Sequence, residues 1–170
     1  MTAEVVRDFQ PRKLSALFFA LSWFPLIALH ELGHAVVARA FGHHVHDIVV
    51  GFGRPMWRFT VFGLDVELRS LPIEGFVTHS GPSTGFRSAL ISFAGPAAEL
   101  LLAGLLLLAL GPGRMFSESN SVAVIATQSV AVACVLSAIV NLIPHHVVRD
   151  RVSGETTAND GMAIFRALRG

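Results

Sequence analysis

Apolar residues are concentrated in three long stretches that dominate the pattern along the chain. The first covers residues 14–29 and continues as a predicted helix to residue 41. The second covers residues 88–110 and precedes the helix-breaking sequence GPG, and the third covers 121–143 and precedes Pro144. Each is close to or above the roughly 20 residues that a helix needs to cross a bilayer. The pattern therefore predicts three transmembrane helices, over 14–41, 88–110 and 121–143.

Residues 45–79 have a different pattern, in which apolar residues alternate with polar or charged ones. On either side of Gly63, the sequences MWRFTVF and LDVELRSL are rich in β-branched and aromatic residues, as expected for a β-hairpin. Residues 144–160 are polar and predicted to be irregular, and a short amphipathic helix is predicted from Gly161 to Leu168. We therefore expect a membrane α-helical fold with three transmembrane helices, a small antiparallel β-sheet between helices 1 and 2, and a short C-terminal amphipathic helix.

The composition is typical of a membrane protein rather than of a soluble domain. Hydrophobic residues make up 52% of the chain and charged residues 15%, and the mean hydropathy is +0.59. The net charge of +1 provides no broad basic field, so no nucleic-acid partner is expected. We expect residues 1–170 to form one domain in a lipid bilayer. Cys134 is the single cysteine, so the chain forms no internal disulfide.

The distribution of basic residues predicts the orientation in the membrane. With three spans, residues 45–87 and the C-terminal tail lie on one side, which carries nine of the 13 basic residues: Arg39, Arg54, Arg58, Arg69, Arg87, Arg149, Arg151, Arg166 and Arg169. The other side carries four: Arg7, Arg12, Lys13 and Arg114. The excess predicts that the sheet and the tail face the cytoplasm and that the N-terminus lies outside, in the cell membrane.

The first apolar stretch has a second interpretation as a signal peptide. Basic residues precede it, and the sequence ARA at 38–40 resembles a cleavage site. Cleavage there would remove the HELGH sequence described next, and Arg39 lies within the supposed site. The transmembrane interpretation is therefore preferred.

The sequence HELGH at the end of the first apolar stretch has the pattern of a metal site. On a helix, His30 and His34 are four residues apart and face the same way, so that both imidazoles can bind one ion. Glu31 lies about 100° around the axis and can act as a general base. Zinc suits this set, since it accepts imidazole ligands and lowers the pKa of bound water to about 7. The alternative, a polar patch at the headgroup region, explains the two histidines but not the complete His-Glu-x-x-His pattern.

A zinc site of this kind needs one further protein ligand. The chemistry of the side chains alone leaves several candidates open: Asp160, Asp150, Glu99, His145, His146, His43, His44 and His46. The sequence HHVH follows the first helix, and its three histidines are more typical of a solvated helix end. His145 and His146 follow a helix-ending proline and are more typical of the interface than of a metal site.

Several separate motifs resemble those of the site-2 proteases, a family of intramembrane zinc metalloproteases. In order along the chain they are HELGH, GFG at 51–53, LPIEGFV at 71–77, FAGPAAELL at 93–101, NLIP at 141–144 and NDG at 159–161. The resemblance spans most of residues 27–165 and is more specific than the zinc motif alone.

The resemblance implies a role for each matching residue. His30 and His34 would be zinc ligands, Asp160 the third ligand and Glu31 the catalytic base. The region 45–79 would be the membrane-associated β element that receives an unwound substrate as an added strand. The family places its active site towards the cytoplasmic face, in agreement with the count of basic residues.

The chain also departs from the family pattern. Glu99 stands where the family commonly has Asn, and it would be either a helix-packing residue or a polar contact near the active site. Asn141, in the sequence NLIP, is another possible active-site contact. Asp160 lies sixteen residues beyond Pro144, a longer interval than is usual, which leaves the depth of the third ligand open. No soluble regulatory domain is expected.

The function implied is that of a zinc-dependent intramembrane endopeptidase. Its substrate would be the transmembrane segment of a single-span membrane protein, cleaved in regulated intramembrane proteolysis. The alternative is a membrane-embedded zinc-binding regulatory protein without activity, which the long interval before Asp160 and the short tail favour. A metal transporter is a weaker possibility, because three spans make a poor pore.

Overall fold

A computed structural model describes residues 3–82, 84–148 and 156–169 of the chain. Within these residues, five helices and four strands follow one another in the order α1 (Ala3–Ala40), β1 (His44–Val61), β2 (Leu64–Ser80), α2 (Gly85–Leu110), α3 (Pro112–Met115), α4 (Val122–Leu142), β3 (His146–Val148), β4 (Thr156–Ala158) and α5 (Asp160–Arg169). The predicted fold class is confirmed: three long apolar helices, an antiparallel sheet between the first two, and a short C-terminal helix.

Helices α1, α2 and α4 are long and apolar enough to cross a membrane, over Arg12–Ala40, Gly85–Leu110 and Val122–Leu142. Each packs against the other two. Small residues permit close approach, as where a Cβ at Gly33 would lie only 2.5 Å from the carbonyl oxygen of Ala94 on α2. The three helices therefore form a bundle, and the apolar side chains on its outside suit contact with lipid.

Two of the helices begin earlier than the apolar pattern indicates. The backbone of α1 is helical from Ala3, although the apolar stretch begins at residue 14. Helix α2 begins at Gly85 instead of residue 88, and the side chain of Thr84 caps it by accepting a hydrogen bond from the Arg87 N–H. Hydropathy marks the apolar part of a helix and not its polar ends, which explains both differences.

The predicted hairpin is present and slightly longer than expected. Strands β1 and β2 pair antiparallel across a turn in which Phe62 has φ +50° and Gly63 has φ +72°, as a tight hairpin turn requires. Residues 65–68 pair with 57–60 across the turn and with 47–50 on their other side, and 47–50 pair in turn with 75–78, because β1 and β2 each bend back on themselves. The sheet is therefore wider than two strands suggest, and 75–78 lies at one edge.

The tail contains a small sheet that the sequence did not predict. Strands β3 and β4 pair antiparallel, with His146 opposite Ala158. Each has three residues, which is too short for an alternating pattern to be recognised. The candidate ligand Asp150 and the counted arginines Arg149 and Arg151 lie outside the described residues.

Two apolar clusters hold the elements together. The first joins α1, the sheet and α2 and contains buried Ala35, Ala38, Val45, Ile48, Val50, Leu64 and Ile91. The second joins α1, α2 and α4 and contains Leu26, Ala103, Ala133 and Cys134. The first cluster lies just beyond the HELGH sequence along α1, so it fixes the sheet against the helix beside the predicted site.

Candidate metal centre

Three of the predicted residues meet between α1 and the start of α5. Nε2 of His30 lies 3.0 Å from Nε2 of His34 and 2.9 Å from Oδ2 of Asp160. Oδ1 of Asp160 lies 3.3 Å from Nε2 of His34. The three ligand atoms all fall within 4.8 Å of one another. The long interval after Pro144 therefore does not separate Asp160 from the histidines, and this ground for the non-enzymatic alternative is removed.

The orientation of His34 is fixed from behind by α2. Its Nδ1 lies 2.7 Å from the carbonyl oxygen of Ile91, to which the N–H donates. This hydrogen bond selects the tautomer that leaves Nε2 free of a proton and facing His30 and Asp160. Metal-binding histidines are commonly held in this way.

Space for an ion is preserved by a glycine. A Cβ at Gly95 would lie 2.6 Å from Nε2 of His30 and closer still to Nε2 of His34, so any side chain there would fill the place where the ligand atoms converge. Two imidazole nitrogens and a carboxylate oxygen form the three-ligand set typical of catalytic zinc, with a fourth position open. The residues present therefore fit a zinc ion.

The third ligand candidate is ionised at neutral pH. Burial acts to raise the pKa of the Asp160 carboxyl, but hydrogen bonds and charge from His30 and His34 in their protonated forms outweigh it and hold that pKa at about 2, before a metal ion displaces those protons. A carboxylate is the form that binds a metal ion.

Asn159 positions Asp160, a role that the sequence alone did not reveal. Its Oδ1 accepts hydrogen bonds from the backbone N–H groups of Met162 (3.0 Å) and His145 (2.9 Å). Its Nδ2 lies within 2.9 Å of the carbonyl oxygens of Asn141 and Ile143 at the end of α4. Asn159 thus caps α5 and attaches it to α4. An Asn immediately before the acidic first turn of a predicted helix was the available signal.

Glu31 lies beside these ligand atoms in a cavity of about 500 Å³. It is buried, and a Cβ at Gly75 would lie 2.6 Å from its Oε1, so the backbone of β2 passes directly over the carboxylate. Residues 73–77 line the same cavity, as do Asn141 and Asp160. The structure therefore brings the predicted base, the three predicted ligands and the sheet edge to one cavity.

Other candidates make different contacts. His43 is buried, contrary to the expected solvated helix end, with Nδ1 3.1 Å from Nδ1 of His79 and Nε2 3.1 Å from the carbonyl oxygen of Pro82. His44 is exposed, and Nε2 of exposed His46 lies 2.9 Å from Oγ of Ser80. His145 lines the cavity, with Nδ1 2.8 Å from the carbonyl oxygen of Ile143. The backbone of His146 lies in β3.

Glu99 lies beside the metal centre and has no exposed surface. Its Oε2 is 3.3 Å from Nδ1 of His30, and its Oε1 accepts a hydrogen bond of 2.6 Å from Oγ of Ser137. Of the two interpretations offered by the sequence, a helix-packing residue or a polar contact near the site, the contacts of Glu99 satisfy both.

Comparison with known proteins supports the resemblance given by the motifs. Residues 18–167 match peptidase family M50, the family of the site-2 proteases. The chain belongs to peptidase family M50. The resemblance to the site-2 proteases is thereby confirmed. The family and the three candidate spans together identify this M50 chain as an integral membrane protein.

Individual relatives match shorter regions of this M50 chain. A Helicobacter pylori protein named as a candidate zinc metalloprotease is 41% identical over 56 residues, which cover 33% of the chain and 16% of the relative. A Clostridium perfringens protein named in the same way is 30% identical over 121 residues, 64% of the chain and 36% of the relative. The regulator of sigma-E protease RseP of Salmonella typhimurium is 32% identical over 108 residues, which cover 53% of the chain and 23% of the relative. The chain thus matches about a sixth to a third of the length of these relatives.

Proposed function

We propose that the chain is a zinc-dependent intramembrane endopeptidase that cleaves transmembrane segments of membrane proteins. The observation that carries the proposal is the convergence of His30, His34 and Asp160 beside Glu31, in a cavity bordered by a strand edge and built partly on a membrane-spanning helix. Membership of peptidase family M50 supports the same function.

In this proposal His30, His34 and Asp160 hold the zinc ion. When bound, zinc supplies Lewis acidity, which polarises a peptide carbonyl and lowers the pKa of water to about 7. The protein contributes a preformed ligand set: the Ile91 carbonyl fixes the ring of His34, and Asn159 fixes the helix that carries Asp160. The absence of a side chain at Gly95 leaves the ligand nitrogens accessible.

Glu31 is the proposed general base. It follows His30 directly in α1, so it lies beside the ligand atoms and not among them. Its carboxylate takes the proton from the attacking water and later delivers it to the nitrogen of the leaving amine. The backbone of β2 at Gly75 covers one side of the carboxylate, which limits the orientations that Glu31 can adopt.

The sheet edge is the proposed binding site for the substrate backbone. Residues 75–78 form the outermost segment of the sheet, where they pair with residues 47–50 of β1. A peptide bond in a transmembrane helix is hidden by intrahelical pairing, so the helix must unwind before cleavage. An unwound segment added at this edge would recover its backbone hydrogen bonds and pass close to Glu31.

The proposed orientation places the sheet and the metal centre towards the cytoplasm in the cell membrane, with the N-terminus outside. The support is the excess of basic residues in the sheet region and the tail. Water can then reach the cavity from the cytoplasmic side.

A reconstituted assay tests the proposed function. The purified full chain, loaded with zinc in liposomes, is incubated with a single-span substrate whose span contains helix-destabilising residues, and with a control substrate of uninterrupted leucines. We expect cleavage within the span of the first substrate, its loss on treatment with a chelator, and its return with zinc. A protein that holds zinc and cleaves none of a panel of such substrates would overturn the proposal in favour of the non-enzymatic alternative.

A further inference from the structure

Glu99 is an ionisable residue within a membrane-spanning helix. It lies in the middle of α2 with no exposed surface, and a carboxyl group at such a position is costly unless it is paired. Its two oxygen atoms face different helices: Oε1 faces Ser137 on α4, and Oε2 faces His30 on α1. Glu99 therefore links the three spans at the level of the metal centre.

The contact between Glu99 and His30 brings together one buried polar atom of each residue. Nδ1 of His30 and Oε2 of Glu99 are both fully buried, and neither has any other hydrogen-bond partner among the described residues. They lie 3.3 Å apart, just beyond the roughly 2.7–3.2 Å usual for an N–H···O hydrogen bond, and each is the nearest available partner of the other. Because a buried donor and a buried acceptor are both costly when unpaired, the arrangement favours an N–H of His30 that donates to Glu99.

The other oxygen of Glu99 is held firmly. Oγ of Ser137 donates to Oε1 over 2.6 Å, which fixes the plane of the carboxylate and turns Oε2 towards His30. The carboxylate is thus positioned from α4 before it meets the imidazole ring. An acceptor that is fixed in this way can in turn fix the orientation of the His30 ring.

The two histidines are supported by different kinds of acceptor. Behind His34 is a backbone carbonyl, that of Ile91, which carries no charge. Behind His30 is the side-chain carboxyl group of Glu99. In both histidines Nδ1 faces its acceptor and Nε2 faces Asp160. The Ile91 carbonyl and the Glu99 carboxyl group therefore favour the same tautomer, with the proton on Nδ1.

We propose that Glu99 is a positioning residue of the metal centre, fixed by Ser137 and acting through the Nδ1–H of His30. It holds the ring of His30 in the tautomer whose Nε2 lone pair is available to the metal, and by accepting the Nδ1–H it makes that nitrogen a stronger ligand. Acceptors behind metal-binding histidines have this effect in general. The inference rests on the proposed function only in assuming that His30 binds the metal.

Zinc affinity, measured on the purified full chain by competition with a chelator, tests the inference without a substrate. We expect Glu99→Leu to weaken zinc binding by about 10- to 100-fold, the usual range for such outer residues. Glu99→Gln is nearly isosteric and retains an acceptor oxygen, so its loss should be smaller than that of Glu99→Leu. Ser137→Ala, which frees the carboxylate without removing it, should also lie between the wild type and Glu99→Leu.

A structural role would give a different result. Ser129→Ala serves as the matched control, because Ser129 is buried on the same helix as Ser137 and its hydroxyl donates to the carbonyl oxygen of Ile125 instead of to Glu99. It should leave zinc affinity unchanged. In the cobalt-substituted protein, Glu99→Gln should shift the ligand-field absorption bands, whereas Ser129→Ala should not.

The inference is overturned if folded Glu99→Leu and Glu99→Gln bind zinc within about twofold of the wild type, or if the cobalt spectrum of Glu99→Gln is unchanged. Failure of the proposed function would look different. A wild-type protein that binds zinc tightly and cleaves nothing would defeat the protease proposal, while the affinity series would still report on Glu99.

Discussion

Gly95 on α2 lies directly against the imidazole of His30 on α1: a Cβ atom added to the glycine would be 2.6 Å from the histidine Nε2. That nitrogen is the one that also faces Asp160. The close approach has two consequences, since it brings the two helices together and it keeps a side chain out of the place where the metal would bind. Gly95 is therefore as much a part of the site as the groups that face it.

Gly95→Ala is expected to impair metal binding without removing any ligand. Its methyl group would occupy the position of the ion or push the histidines apart, and we expect a loss of zinc affinity at least as large as the roughly 10- to 100-fold typical of outer-residue substitutions. Gly104→Ala is the matched control, because a Cβ at Gly104 on the same helix has no neighbour within 4 Å. Equal zinc affinity in the two variants would show that Gly95 does not border the metal.

Asp160→Ala is expected to reduce zinc from about one ion per chain to a substoichiometric amount, because one of three protein ligands is lost. Metal analysis of the purified protein measures this directly. Asp65→Ala is the control, since Asp65 bonds to Thr60 on the hairpin and does not line the cavity of the metal centre. Unchanged zinc in Asp160→Ala would assign the third ligand elsewhere, and His145 would be tested first.

Asn159→Ala is expected to loosen α5 and, through it, Asp160. The lost cap alone costs about 0.5–2 kcal/mol, which corresponds to a zinc affinity about 2- to 30-fold weaker. Hydrogen exchange should show faster opening of α5, with α2 and α4 unchanged. Asn120→Ala, at an exposed loop residue, is the control. If Asn159→Ala binds zinc as tightly as Asn120→Ala does, Asn159 does not position Asp160.

Cysteine labelling of intact cells tests the proposed orientation. In a Cys134→Ala background, a cysteine introduced by Asp65→Cys on the hairpin should be protected from an impermeant reagent added outside. One introduced by Glu118→Cys, in the exposed segment between α3 and α4, should be labelled. The reverse pattern would invert the topology predicted from the basic residues.

The sequence was sufficient to predict the spans, the hairpin and the position of His30 and His34 on one face of a helix. Predominantly apolar stretches of about 20 residues have few alternatives to a membrane helix, and the spacing of His30 and His34 is meaningful only on a helix. The proposed third ligand was different. Asp160 is distant in sequence from His30, and no periodicity reports contacts between elements so far apart; only the resemblance to a family selected it from the other candidates.

What the sequence could not predict are contacts that depend on how the helices pack. The alignment of Glu99 with Nδ1 of His30, and the approach of Gly95 to Nε2, follow from the relative rotation of α1 and α2. Three-residue strands such as β3 and β4 are too short to give an alternating pattern. Asn159 carried a local signal as a helix cap, but its bonds to α4 could be seen only in three dimensions.

The central claim, that Glu31 is the base of a zinc peptidase, is tested most directly by Glu31→Gln. The substitution keeps the size of the side chain and its capacity for hydrogen bonds but removes its ability to accept a proton at neutral pH. The measurement is zinc per chain together with the rate of cleavage of the helix-destabilised substrate, on the same preparation. We predict undiminished zinc and a rate lower by about 10²–10⁴-fold or more. Loss of zinc, or cleavage at the wild-type rate, would contradict the assignment of Glu31 as the base.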